Sequence, residues 1–274
     1  MVLVNGKAES RITIADRGLQ YGDGLFETIA FRHGKAEFLD AHIQRLLAGC
    51  ERLSIPFQQL AELSQELNSV YQQLGDTQCI IKIIITRGCG GRGYFADKTS
   101  VPTRIISTHD SPSYPQHYGQ TGITVRLCQH KLSDNSALAG IKHLNRLDNV
   151  IARNEWDDTN IGEGLLFDQS EYLIEGTMTN VFIVKSQQLI TPLLNSSGVA
   201  GIMRAQIIAI AQQLDLPFKQ AMLTQDDLMS ADEVFVCNSV NGIWPVRAIA
   251  DSVKQYATGP ITQQLQQALT KVER

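Results

Sequence analysis

The stretch Cys79-Ile-Ile-Lys-Ile-Ile-Ile-Thr86 narrows the fold more than any other in this 274-residue chain, because five of its eight residues are isoleucine. β-Branched side chains are stiff at χ1 and pack well on a pleated surface, so the run reads as a strand over 79–87. Lys82 interrupts it, and it is far too short to cross a bilayer. A glycine-rich stretch, Thr86-Arg-Gly-Cys-Gly-Gly-Arg-Gly-Tyr-Phe95, follows at once, and a second strand is expected over 103–108. Gly88, Gly90 and Gly93 spell G-x-G-x-x-G, the spacing of a dinucleotide-binding turn. That reading needs a helix next, so that its N-terminal amides meet the pyrophosphate. Residues 94–102 show no helical period and close on Pro102, so the nucleotide reading fails. Two readings remain open at this level: a flexible connection between strands, or a loop whose glycines let Arg92 and Tyr94 approach a ligand.

The rest of the chain is mixed α+β, without regular βαβ alternation. Val2–Val4 and Arg11–Ile14 flank Asn5-Gly6, which predicts a hairpin with a longer loop. A second hairpin is expected over Glu27–Arg32 and Lys35–Phe38. Helices are expected from about Asp40 to Leu53, with Ile43, Leu46, Leu47, Cys50 and Leu53 on one stripe, and over about 58–74. Residues 109–121, with two prolines, read as a linker between a small domain (1–108) and a larger α/β domain (122–274). In the second part, strands are expected near 122–128, 163–168, 179–185, 233–237 and 243–249. Helices are expected near 144–158, 201–213 and from 260. Trp156 and Trp244 read as core.

Composition bounds the chemistry. The net charge is −4 and the basic residues are scattered, which argues against a nucleic-acid partner. An anionic small-molecule substrate would need a local basic pocket. The N-terminus lacks a signal-peptide pattern. Five cysteines without C-x-x-C spacing read as reduced thiols in a cytoplasmic protein, and the histidine spacing offers no metal site.

Several separated stretches resemble the fold-type IV pyridoxal-phosphate enzymes, the class IV aminotransferase family. They are DRGLQYGDGLFET (16–28), HIQRL (42–46), AGIKHLNRLDNV (139–150), EGTMTNVFIV (175–184), GIMR (201–204) and CNSVNGIWPV (237–246). The family holds branched-chain and D-amino-acid aminotransferases and 4-amino-4-deoxychorismate lyase. TRGCGGRGY and AGIKHLNRL most resemble the lyase branch. The resemblance implies a two-domain α+β fold like that of the D-amino-acid aminotransferases, a homodimer, and pyridoxal 5'-phosphate as cofactor. Lys142 is the implied cofactor lysine and catalytic base, and Glu175 the carboxylate facing the pyridine nitrogen. Arg45, the amides of Ile202 and Met203, and Ser239 are implied for the phosphate; arginine offers a planar multidentate head, and a helix N-terminus suits an anion. Thr28 is placed near the reacting carbon, and Arg92 and Tyr94 near the substrate, Arg92 as a carboxylate partner. Asp16, Arg17 and Asn180 are expected to brace turns.

The implied activity converts 4-amino-4-deoxychorismate to 4-aminobenzoate and pyruvate, in folate synthesis. An aminotransferase of the same fold, for D-amino or branched-chain substrates, is the nearest alternative. Tyr94 stands where the D-amino-acid transaminases resemble R-x-H. A non-catalytic cofactor carrier and a nicotinamide-dependent oxidoreductase are more remote readings.

Overall fold

The computed structural model describes residues 1–115 and 117–272. Two compact units emerge. The first holds Met1–Pro112 and Ile141–Asn145; the second holds Ser113–Gly140 and residues 146–272. The units divide between Pro112 and Ser113, and His109 and Asp110, expected in the linker, belong to a strand. Gln116 of that linker, and residues 273 and 274 of the expected second domain, lie outside the described residues.

In the first unit the chain runs through β1 (Val2–Val4), β2 (Lys7–Ala8), α1 (Arg17–Tyr21), β3 (Gly24–Arg32), β4 (Lys35–Ala36), α2 (Leu39–Arg52), α3 (Leu60–Leu74), β5 (Cys79–Thr86) and β6 (Thr103–Asp110). These strands form one antiparallel sheet in the order β2-β1-β6-β5-β3-β4. Alternation decides its faces. Ile81, Ile83 and Ile85 join Leu25, Ile29, Phe31 and Ile106 in a core with Leu46 and Cys50 of α2 and Leu63, Leu67 and Val70 of α3. Lys82 takes the opposite face, which is why an otherwise apolar run tolerates a charge. The first hairpin differs from expectation. Asn5 and Gly6 both have positive φ, 50° and 78°, as a tight two-residue turn requires, and Val4 pairs directly with Lys7. Arg11–Ile14 forms no strand.

The second unit contains α4 (Tyr118–Thr121), β7 (Ile123–Leu132), α5 (Leu147–Arg153), β8 (Ile161–Asp168), β9 (Leu173–Gly176), β10 (Asn180–Lys185), β11 (Gln188–Pro192), α6 (Ile202–Gln213), β12 (Phe218–Ala221), α7 (Gln225–Met229), β13 (Glu233–Asn238), β14 (Gly242–Ile249) and α8 (Pro260–Leu269). Its sheet runs β12-β11-β10-β13-β14-β7-β8-β9, with β7 parallel to both β8 and β14. A further pairing, Asn180 with Glu175, joins β10 to β9 and closes the strands from β9 to β10 into a ring. Trp244 packs with Val125, Leu165, Val181, Val236 and Val246 in one cluster, and Trp156 in another with Cys128, Leu166 and Ile174.

One expectation needs correction. Lys142 was assigned to the C-terminal domain, but Ile141–Asn145 belongs to the first unit. The segment lies along the edge of β3: Phe26 N donates to Lys142 O at 3.0 Å, and Leu144 N to Gly24 O at 3.0 Å. Ile141 enters the isoleucine core. Backbone pairing and apolar burial together outweigh its place in the sequence.

Candidate active site

In the first unit, β3 supplies both faces of the chemistry. Phe26 and Thr28, two residues apart, share one face, and Lys82 pairs across from Thr28. The Lys142 ammonium lies 4.3 Å from the centroid of the Phe26 ring, and that of Lys82 lies 5.2 Å from it. An amine held against an aromatic face is fixed in place by the ring's negative face. Lys82 and Lys142 therefore gather around one ring, with Thr28 on the same strand face.

Glu27 points to the other face, where α2 delivers His42 and Arg45 at helical spacing. Arg45 donates to both carboxylate oxygens, Nε to Oε1 at 2.9 Å and Nη2 to Oε2 at 2.5 Å. His42 Nδ1 lies 2.6 Å from the same Oε2. Burial pushes the Glu27 carboxyl up, but His42 and Arg45 more than reverse this and hold it below the usual range. Burial pushes His42 down, against the pull of Glu27. A neutral ring that donates from Nδ1 leaves Nε2 as an acceptor, and that atom is buried without a hydrogen-bond partner among the described residues.

In the second unit Glu175 is buried at the β9–β10 closure, where its Oε2 accepts from Val199 N at 2.8 Å. Asn180 does not brace the turn before it, as expected; its Nδ2 donates to Val199 O at 2.8 Å. Glu175 and Asn180 thus fix the same short segment that leads into α6. Gly201 caps that helix without any side-chain hydrogen bond, so no cap side chain occupies its first amides, including those of Ile202 and Met203. A Cβ at Gly201 would meet Asn180 Oδ1 at 2.0 Å, so a larger residue there would displace the Asn180 side chain. Ser239 lies in the turn between β13 and β14, and the adjacent Asn238 donates to Met178 O at 3.3 Å.

The residue that does brace the turn went unnoticed in the sequence. Glu163 on β8 accepts at Oε1 from Thr177 N (3.0 Å), Thr177 Oγ1 (2.6 Å) and Gly164 N (2.9 Å). Its Oε2 accepts from Thr179 Oγ1 at 2.8 Å and Met178 N at 3.2 Å. Its signal was an acid flanked by Gly162 and Gly164, just before the apolar run Leu165–Phe167 of the same strand. Arg146 was also missed: burial pushes its guanidinium down, while the charges of Glu175 and Asp148 pull it up.

The glycine loop belongs to the first unit, and two of its glycines have a steric reason. At Gly88 (φ 80°) a Cβ would lie 2.0 Å from Val101 O, and at Gly91 (φ 80°) 2.1 Å from Phe95 O. Arg92 and Phe95 exchange backbone hydrogen bonds at 3.1 and 3.2 Å, forming a small turn with both Arg92 and Tyr94 exposed. No helix follows, consistent with the exclusion of a nucleotide turn.

Residues 24–249 match the family model for amino-transferase class IV. The chain is 36% identical to an aminodeoxychorismate lyase of Vibrio harveyi, over 97% of this chain and 98% of that protein. A 4-amino-4-deoxychorismate lyase structure from Pseudomonas aeruginosa superposes with a TM-score of 0.93 at 42% identity, covering 98% of both chains. The Escherichia coli branched-chain amino acid aminotransferase is more distant, with a TM-score of 0.86 at 26% identity, covering 99% of this chain and 93% of that one.

Proposed function

The chain belongs to the class IV aminotransferase family, and from that premise we propose that it is an aminodeoxychorismate lyase, splitting 4-amino-4-deoxychorismate into 4-aminobenzoate and pyruvate with pyridoxal 5'-phosphate. The near full-length similarity to two lyases, closer than to the aminotransferase, carries this choice. Tyr94, where the D-amino-acid transaminases resemble histidine, supports it.

The residues fit the cofactor. Lys142 offers an amine beside Phe26, Glu175 a buried carboxylate, and α6 an N-terminus with no side-chain cap. Lys142 would hold the cofactor aldehyde and Glu175 its ring nitrogen. Arg45, the Ile202 and Met203 amides and Ser239 would hold the phosphate. When bound, the cofactor supplies a ring that takes up the electron pair released at the substrate carbon. Lys142 Nζ then removes the proton from C4 of the substrate. The bond from the neighbouring carbon to the enolpyruvyl oxygen breaks, the six-membered ring becomes aromatic, and the departing enol takes up a proton and becomes pyruvate. Glu175 would keep the cofactor's ring nitrogen protonated, which favours uptake of the electron pair. Thr28 places a hydroxyl on the face that carries Lys142, and Arg92 binds a substrate carboxylate beside Tyr94.

We also infer a homodimer. Ile14, Tyr94, Phe95 and Val101 of the first unit are 82%, 91%, 74% and 69% exposed, and Leu147, Val150 and Ile151 form an exposed stripe along α5. Five unpaired cysteines support a cytoplasmic location. Among the described residues, no helix is long and apolar enough to cross a membrane.

The test is to supply 4-amino-4-deoxychorismate with no keto acid and follow 4-aminobenzoate and pyruvate. Formation of both supports the lyase; amino transfer to an added keto acid, without 4-aminobenzoate, would favour the aminotransferase. Independently of turnover, borohydride should fix the cofactor on the peptide containing Lys142, and labelling of another lysine would refute its role. Mixing Arg92→Ala and Lys142→Ala subunits should restore about a quarter of wild-type activity if Arg92 serves the neighbouring subunit under two-fold symmetry.

A further inference from the structure

Arg17, in the Asp16-Arg17-Gly18 stretch, has a side chain only 6% exposed. Each of its nitrogens has a separate task. Nε donates to Asp23 Oδ2 at 2.9 Å, Nη1 to Gly93 O at 2.8 Å and Nη2 to Tyr94 O at 3.3 Å. Its guanidinium carbon lies 4.8 Å from the Tyr21 ring centroid, and Tyr21 in turn packs on Tyr94 with centroids 5.6 Å apart. Asp23 is shared with Arg87, which donates to it from Nε at 2.7 Å and from Nη2 at 3.0 Å. Arg87 also donates to Ser54 O at 2.6 Å and Leu53 O at 2.7 Å, just past the end of α2. Asp16 fastens the base of the same loop, accepting from the hydroxyls of Thr86 and Thr103 at 2.8 Å each.

A guanidinium is costly to bury, and here two of its nitrogens serve backbone carbonyls of an exposed loop tip. Burial lifts the Asp23 carboxyl, but Arg87 and Arg17 together hold it below the usual range, so the counter-charge is secure. We propose that Arg17 is a positioning residue for substrate: it clamps the turn at 92–95 so that Arg92 is presented in one place, with Asp23 and Arg87 tying that turn to the end of the helix that carries Arg45. The proposal rests on the carboxylate-binding role given above to Arg92. A lysine at position 17 would keep the charge near Asp23, but its single nitrogen cannot span Asp23 and two carbonyls.

The test compares wild-type holoenzyme with Arg17→Lys, Arg92→Ala and the double variant. Limited trypsin digestion should cut after Arg92 about ten-fold faster in Arg17→Lys, with other cleavage rates unchanged, because only local opening becomes easier. KM for 4-amino-4-deoxychorismate should rise about ten-fold in that variant with kcat within about two-fold, as expected for lost substrate positioning. The double variant should have the KM of Arg92→Ala alone, because the two residues act through one contact. An unchanged rate of cleavage at Arg92, or a rise at all sites together, would overturn the clamp. A KM unaffected by Arg17→Lys but raised by Arg92→Ala would overturn its link to substrate. If Arg92→Ala itself leaves KM unchanged, the carboxylate role of Arg92 fails and the proposal falls with it, while the digestion still reports the clamp separately.

Discussion

Glu27 and Glu163 are the same side chain in equally buried places, each 1% exposed, yet their surroundings differ in kind. Glu27 is met by Arg45 and His42, whereas the donors recorded for Glu163 are backbone amides and threonine hydroxyls. Burial lifts both carboxyls. Beside Glu27, the hydrogen bonds and charge of its partners reverse the lift; around Glu163, neutral donors reduce it without reversing it. Charge pairing therefore decides ionisation, while an arrangement of dipoles decides shape. In the first unit the pairing orients an arginine, and in the second the dipoles hold the turn that follows Glu175.

The sharpest way to break this comparison is Glu27→Ala. It strands the partly buried Arg45 without its carboxylate, and denaturant unfolding should show a loss of about 3–5 kcal/mol. Glu163→Gln should cost less, about 1–2 kcal/mol, because the threonine hydroxyls can rotate to accept from the new amide while Met178 N keeps a poor partner. Equal losses for the two variants would remove the distinction.

Acid should separate the two regions more subtly. The folded-state pKa of His42 lies below its ordinary 6.5, so the unfolded chain takes up that proton first and stability falls as the pH drops through this range. Glu27, held below its ordinary 4.5, contributes stability above that value that is lost as pH falls through its folded pKa. Glu163 has the opposite sign: its raised pKa contributes stability below 4.5 that is lost as pH rises through the folded value. Hydrogen exchange followed down the pH scale should show β3 and α2 losing protection before β8 and β10. Simultaneous loss would mean that neither carboxylate governs its surroundings. The smallest effect is expected from His42→Asn, where an amide can still donate to Glu27. It should cost about 1 kcal/mol at neutral pH and remove the first part of the acid response.

Much of this was legible in the sequence where a local rule carried the signal. The isoleucine run, the α2 stripe and the start of α6 follow from side-chain period and flanking glycine. Phe26 and Lys142 meet, but their meeting depends on β3 pairing with a segment more than a hundred residues away, which no local rule encodes. The same is true of the Glu163 turn and of Arg17, whose carbonyl partners lie 76 and 77 residues further along the chain. Arg11–Ile14 has the apolar pattern of a strand, but the positive φ of Asn5 and Gly6 had already turned the chain onto Lys7 and Ala8.

The excursion of Ile141–Asn145 into the first unit also constrains how the protein is made. A ribosome that has just released Pro112 has not yet supplied the five residues that border β3, and all of β7 must emerge before they do. The N-terminal unit therefore cannot finish folding as an autonomous early domain during synthesis. The chain also cannot be divided at the 112–113 boundary into two self-sufficient fragments, because the piece bearing the β3 edge would lack its lysine.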